Sequence, residues 1–110
     1  MPGEINPRIV YITCENIEQA SAIGAKLVEE KLAACVNIID QMRSIYLWEG
    51  KIEEGVEVIL LAKTKESLIK PLTNRVKSLH SYTCPCVISL PILGGNADFI
   101  RWIDKETLSD

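Results

Sequence analysis

The residues best suited to chemistry cluster near position 80: His80, followed by the pair Cys84-Pro85-Cys86. Thiolates select soft ions such as Cu(I) or Zn(II), and imidazole suits copper and zinc as well. In an extended segment, residues i and i+2 point to the same side, so Cys84 and Cys86 could reach one ion. His80 falls at the expected end of a helix, where the macrodipole favours a cation. Cys14, closing an expected first strand, is a further candidate ligand, whereas Cys35 reads as core. The opposing reading is packing alone, with a histidine that caps a helix and cysteines that act as small apolar residues. A second set, Tyr46, Trp48, Lys51, Lys63 and Tyr82, combines rings and cations near strand ends. Such groups suit a small-anion pocket between subunits. Against this stands aromatic packing at a hairpin tip beside solvated lysines.

Catalytic templates fail. His80 is the only histidine, which excludes HExxH metal sites and multi-histidine relays. The chain has no GxGxxG, no Walker-type phosphate loop and no GxSxG elbow. Gly94-Gly95-Asn96 ahead of a helix could hold an anion on free N–H groups, but reads first as a turn with an asparagine cap. The expectation is a protein that is not an enzyme and has no obligatory cofactor, with copper or another divalent ion as the possible ligand.

Composition sets the frame. At 110 residues the chain suits one domain, expected over residues 8–110 behind a loose leader of residues 1–7. An apolar share of 47% and a charged share of 25% are ordinary for a globular protein. A net charge of −3 gives no basic footprint for nucleic acid. The longest apolar runs, Val58–Ala62 and Val87–Leu93, are too short to span a bilayer, and MPGEINPR lacks the pattern of a signal peptide. No membrane association is expected, and the four cysteines read as thiols of a reducing cytoplasm.

The elements that must position these groups follow from periodicity. Arg8–Cys14 is a short apolar strand. Asn16 caps a helix with Gln19 three residues on, and Ile17, Ala20, Ile23, Gly24, Leu27 and Val28 form its apolar stripe. From Ala33 to Thr64 runs one long hairpin turning at Trp48-Glu49-Gly50-Lys51, where Gly50 supplies a positive φ. Each arm is about 14 residues, or roughly 45–50 Å at ~3.4 Å per residue. A domain of this size is only about 35 Å across. The hairpin must therefore curl or overhang. In the first arm Val36, Ile38, Met42, Tyr46 and Trp48 occupy one alternating set of positions, and Cys35, Ile39, Ile45 and Leu47 the other. Two-sided apolarity predicts that another subunit covers the far face. Asp40-Gln41 interrupts the pattern as a bulge would. A second helix ends at Leu79 with Leu68, Leu72, Val76 and Leu79 inward, a strand spans Pro85–Leu93, and Asn96 caps a last helix. The order β-α-β-β-α-β plus a terminal helix predicts an α+β, ferredoxin-like split βαβ fold with its helices on one face.

The segments EEKLAACVNI (Glu29–Ile38), SIYLWEGKIEEGVEVILLAKT (Ser44–Thr64), VKSLHSYTCPCVISLPI (Val76–Ile92) and NADFIRWI (Asn96–Ile103) resemble the CutA family of divalent-cation tolerance proteins. The resemblance implies a homotrimer assembled through the long strands and a role in tolerance of copper and other divalent metals. With no acid–base or nucleophile pair apparent, the mechanism expected is sequestration or sensing rather than catalysis. The architecture is also similar to PII-type signalling trimers, so the alternative is a signalling or scaffold trimer. Such a trimer would bind a small ligand or protein partner in inter-subunit clefts. Of the copper ligands that the resemblance implies, Cys14 stands at the cysteine and His80 at one of two histidines, with Leu79 at the other. Ser81 replaces the following proline, and Cys86 replaces a glutamate. Cys84 and Cys86 are the substitute ligands this chain offers.

Overall fold

The computed structural model describes residues 4–109. Four strands build one antiparallel sheet: β1 (Pro7–Cys14), β2 (Cys35–Trp48), β3 (Lys51–Lys65) and β4 (Val87–Pro91). Their spatial order is β2-β3-β1-β4. The helices are α1 (Ile17–Glu29), α2 (Ile69–Leu79), entered through the 3-10 turn Glu66–Leu68, and α3 (Ala97–Lys105). This is the ferredoxin-like arrangement with a terminal helix. Residues 1–3 of the expected leader lie outside the described residues. Its end is held in place, since Pro7 opens β1 and the Asn6 carbonyl accepts from the Glu66 N–H.

Local signals explain the elements. Asn16 Oδ1 accepts from the Gln19 N–H at 2.8 Å and caps α1. Gln19 Oε1 reaches back to the Glu15 N–H, one residue before the position a capping box uses. Ala20, Ile23, Gly24 and Leu27 are buried, whereas Val28, expected in the same stripe, is largely exposed. A Cβ on Gly24 would sit 2.9 Å from Val36 Cγ2, so the glycine permits the close approach of helix and sheet. Asn96 caps α3 by accepting from the Asp98 N–H. The hairpin turns through Glu49 (φ 49°) and Gly50 (φ 81°), the left-handed pair that matches the twist of a two-residue hairpin.

The core lies between the helices and one sheet face, where Val10, Ile12 and Cys14 of β1 oppose Ala62, Leu60 and Val58 of β3, all buried. Directly opposed residues share a face, which makes the register decisive. Ile39 opposes Ile59, but Met42 opposes Glu57, three positions along β2 against two along β3. The extra residue is a bulge at Asp40-Gln41, with Gln41 at φ 59° and its N–H on Asp40 Oδ1. The bulge reverses which side each later residue of β2 faces. Val36 and Ile38, opposite Ala62 and Leu60, face the helix side, while Met42, Tyr46 and Trp48, opposite Glu57, Glu53 and Lys51, face the open side. Ile45 and Leu47 then return to the helix side, opposite Glu54 and Ile52. The expected grouping of Val36 and Ile38 with Met42, Tyr46 and Trp48 is thus corrected by one inserted residue. Cys35 is also not core, being half-buried on the open face opposite Lys63.

The hairpin overhangs as its length requires. The molecule measures 47 × 25 × 22 Å, and its long axis is in the range of one extended arm. On the open face Ile39, Ile88 and Leu90 are about half exposed. No helix among the described residues is long and apolar enough to cross a membrane.

Candidate functional site

The loop from α2 to β4 carries most of the candidate residues. It is pinned where it passes the end of β1. His80 ends α2, its N–H on the Val76 carbonyl. Its ring meets the Thr13 carbonyl through Nε2 at 2.7 Å and the Tyr82 N–H through Nδ1 at 3.0 Å. A carbonyl can only accept and an N–H can only donate, so the proton sits on Nε2 and the Nδ1 lone pair is occupied. Both ring nitrogens are engaged. Next to it, Gln19 Nε2 donates to Ser81 Oγ at 2.7 Å, and Ser81 Oγ donates to Glu15 at 3.0 Å. Tyr82 then extends over the open sheet face, and its hydroxyl donates to Glu57 Oε2 at 2.7 Å.

This loop and the hairpin beyond its bulge border an open groove of about 770 Å³. Tyr11, Thr13, Met42, Tyr46, Trp48 and Glu57 come from the sheet, and Tyr82, Cys84 and Cys86 from the loop. The Tyr11 hydroxyl donates to Met42 Sδ at 3.1 Å. Burial, then the bond to Glu57 and its charge, push the Tyr82 hydroxyl well above the usual phenol range. Burial likewise raises the Cys86 thiol, with Glu57 and Cys84 adding to the rise and a bond to Thr13 opposing it.

Of the residues singled out in the sequence, Tyr46, Trp48, Tyr82, Cys84 and Cys86 meet here. Lys63 does not: it donates to Asn37 and lies 5.7 Å from the centre of the Phe99 ring. Lys51 sits at the exposed hairpin turn and is not in the groove wall. Cys14 is separated from the groove by the sheet itself. It shares the buried helix side with Val10 and Ile12, and burial first, then the charge of Glu57, pushes its thiol up to about 11. Sequence reasoning missed Glu57, Met42 and Tyr11. Met42 carried a usable signal, since a bulge at Asp40-Gln41 implies that later residues change sides.

Fold and groove define a ferredoxin-like domain with an overhanging hairpin and a ligand-sized cleft between that hairpin and the α2–β4 loop. The family model described as CutA1 divalent ion tolerance protein matches residues 8–106, and the chain belongs to that family. Protein CutA 1, chloroplastic, from Oryza sativa subsp. japonica is 44% identical over 90% of this chain and 56% of its own length. The crystal structure of CutA1 from Oryza sativa superposes with a TM-score of 0.93 at 42% identity, covering 96% of this chain and 97% of that one. The periplasmic divalent cation tolerance protein CutA from Archaeoglobus fulgidus gives a TM-score of 0.88 at 41% identity, covering 91% and 97%. The chain spans about 54–60% of the length of the first plant and mammalian relatives it matches.

The copper ligands that the family resemblance implies do not fit a metal site within this subunit. The Cys14 thiol is buried in the core on the helix side of the sheet, and both His80 nitrogens are engaged. Among the described residues, no group of three or more His, Cys, Asp and Glu side chains is arranged to hold a metal ion.

Proposed function

We propose that this chain serves divalent-cation tolerance in the cytoplasm as a homotrimer that senses or sequesters metal, copper foremost, without catalysis. One observation carries the reading: the bare apolar sheet face continues into a hairpin tip that is apolar and exposed on both sides. A contiguous apolar surface of this kind marks an interface. Three copies around a closed axis would cover the face, the tip and the free edges of β2 and β4 together. Absence of catalysis is supported by the groove's chemistry. Tyr82 holds its proton and directs it at Glu57, so neither member stands ready as a base beside a nucleophile.

The groove favours a second use of the same assembly, a PII-like signalling or scaffold trimer that binds a small ligand or protein partner. Its volume of about 770 Å³ lies within the range of small-molecule sites, and its lining mixes aromatic rings with a few polar groups.

Sedimentation at micromolar concentration tests the assembly, with three times the chain mass expected. Leu61, opposite Tyr11 and Asn37 on the open face, is the residue to charge. Leu61→Glu should yield monomers. A monomeric wild type overturns the trimer, and an intact Leu61→Glu trimer overturns the face. Wild type should restore copper-tolerant growth to cells lacking their own family member, and Leu61→Glu should not.

A further inference from the structure

The groove gathers four aromatic rings around one half-buried carboxylate. Tyr11 lies on β1, Tyr46 and Trp48 on β2, Tyr82 on the loop, and Glu57 on β3. Hydrogen bonds fix part of this set: Tyr82 donates to Glu57 at 2.7 Å, and Tyr11 donates to Met42, which opposes Glu57 in the ladder. Tyr46 and Trp48 are each 48% exposed, so two of the rings stand open to a ligand. The small-anion pocket expected from the sequence needed Lys51 and Lys63, and neither lines the groove. Arg43, the one cation on that lining among the described residues, alternates with Met42 and opposes Val56, so it faces the helix side, away from Glu57. The charge left beside the rings is negative. Beyond the effect of burial, Glu57 pushes up both the Tyr82 hydroxyl and the Cys86 thiol, so its field extends along the groove wall.

We propose that the groove binds an organic cation, an ammonium group on an apolar body, with the charge held by the Tyr46 and Trp48 rings and by Glu57. The inference rests on the reading of the groove as a small-ligand site and names what that site takes. The π-faces of tryptophan and tyrosine are negative, so they attract a cation within about 6 Å and offer nothing to an anion. A quaternary ammonium suits such rings well, because its methyl groups pack on apolar surface while the charge stays close to the ring. A volume of about 770 Å³ leaves room for the apolar body beside the charged head.

The test titrates the whole protein with benzyltrimethylammonium at fixed ionic strength and follows the indole N–H signals of its two tryptophans by NMR. Trp48 lines the groove and Trp102 lies on α3, outside it. The Trp48 signal should shift to saturation while that of Trp102 stays fixed. Benzyl alcohol, which is neutral, and phenylacetate, which is anionic, should bind roughly tenfold more weakly or less. Glu57→Gln should lower the affinity on the order of tenfold, and Tyr46→Leu about fivefold. Tyr82→Phe keeps both ring and carboxylate and should bind at least as tightly as wild type. Wild-type affinity in Glu57→Gln or Tyr46→Leu overturns the site. So does a loss in Tyr82→Phe equal to that in Glu57→Gln, which would assign the effect to the Tyr82–Glu57 bond. Equal or tighter binding of phenylacetate or benzyl alcohol overturns the cation and leaves the small-ligand reading standing. No shift of Trp48 with any of the three compounds overturns both.

Discussion

The two ends of the long hairpin carry similar residues in opposite circumstances. At the base, Val58, Leu60 and Ala62 face the helix side, with α1 packed on β3, and are 0–2% exposed. At the tip, Ile45 and Leu47 are each 71% exposed and Ile52 is 75% exposed. Both regions are β-branched or aliphatic strand, both sit in the same ladder, and the bulge at Asp40-Gln41 divides them. The difference shows that apolarity here serves two separate purposes. At the base it holds one chain together. At the tip it contributes nothing to the isolated subunit and is available to a neighbour.

The base should respond most strongly to loss of volume. Leu60 is fully buried between β1 and β2, opposite Ile12 and Ile38. Leu60→Ala should cost about 2–5 kcal/mol by chemical denaturation, from lost burial and the cavity left behind. A cost below 1 kcal/mol would erase the distinction between base and tip.

Cys14 gives the base a pH signature. Its thiol is raised from the usual 9.0 to about 11, chiefly by burial, so the fold prefers the protonated form. Below pH 9.0 the folded and unfolded chains both hold the proton, and Cys14 adds no pH dependence. Between pH 9.0 and about 11 the unfolded chain releases it first, and stability falls as pH rises. The rise from 9.0 to about 11 bounds the loss at about 3 kcal/mol. Unfolding measured at pH 8.5 and 10.5 should show this decline in wild type and a shallower one in Cys14→Val, whose difference cancels the other titrating groups. Equal slopes would place Cys14 in water rather than in the core.

Gly24→Ala probes how tightly the base is closed. The new Cβ would meet the partly buried Val36 at 2.9 Å and the buried Leu60 at 3.3 Å. Overpacking of this kind should cost about 1–3 kcal/mol, despite the better helix propensity of alanine. An increase in melting temperature would mean that α1 can lift from the sheet.

Most of the fold was legible because its signals are local. Asn16, Asn96 and Gly50 each act within three residues, and the buried stripes of α1 and α2 follow helical spacing. The bulge was legible too, but its consequence was not. A single inserted residue reversed the facing of Met42, Tyr46 and Trp48, a geometric effect that acts at a distance from its cause. The groove was legible in part, through Tyr82, Cys84 and Cys86. Glu57 follows Glu53 and Glu54 closely in the sequence, with nothing local to set it apart, and its partner Tyr82 lies 25 residues away. Cys14, a candidate ligand by type, shares the parity of Val10 and Ile12 and is buried with them in the core. The type of a side chain announces what chemistry it could do, and strand parity decides whether it meets its partners.

The tip should respond least in the subunit and most in the assembly. Leu47 and Ile52 oppose each other on the helix side of the overhang, beyond the reach of any helix. Replacing both by serine removes apolar surface that the isolated chain leaves in water, so subunit stability should change by less than about 0.5 kcal/mol. If neighbours bury these side chains, the same change should weaken association. The melting temperature of wild type should then rise with protein concentration, and the double variant should lose that dependence. Measuring both quantities on one protein separates the two purposes of the hairpin. A large loss of stability at every concentration would show the tip to be part of the subunit's own core, and the division at Asp40-Gln41 would not hold.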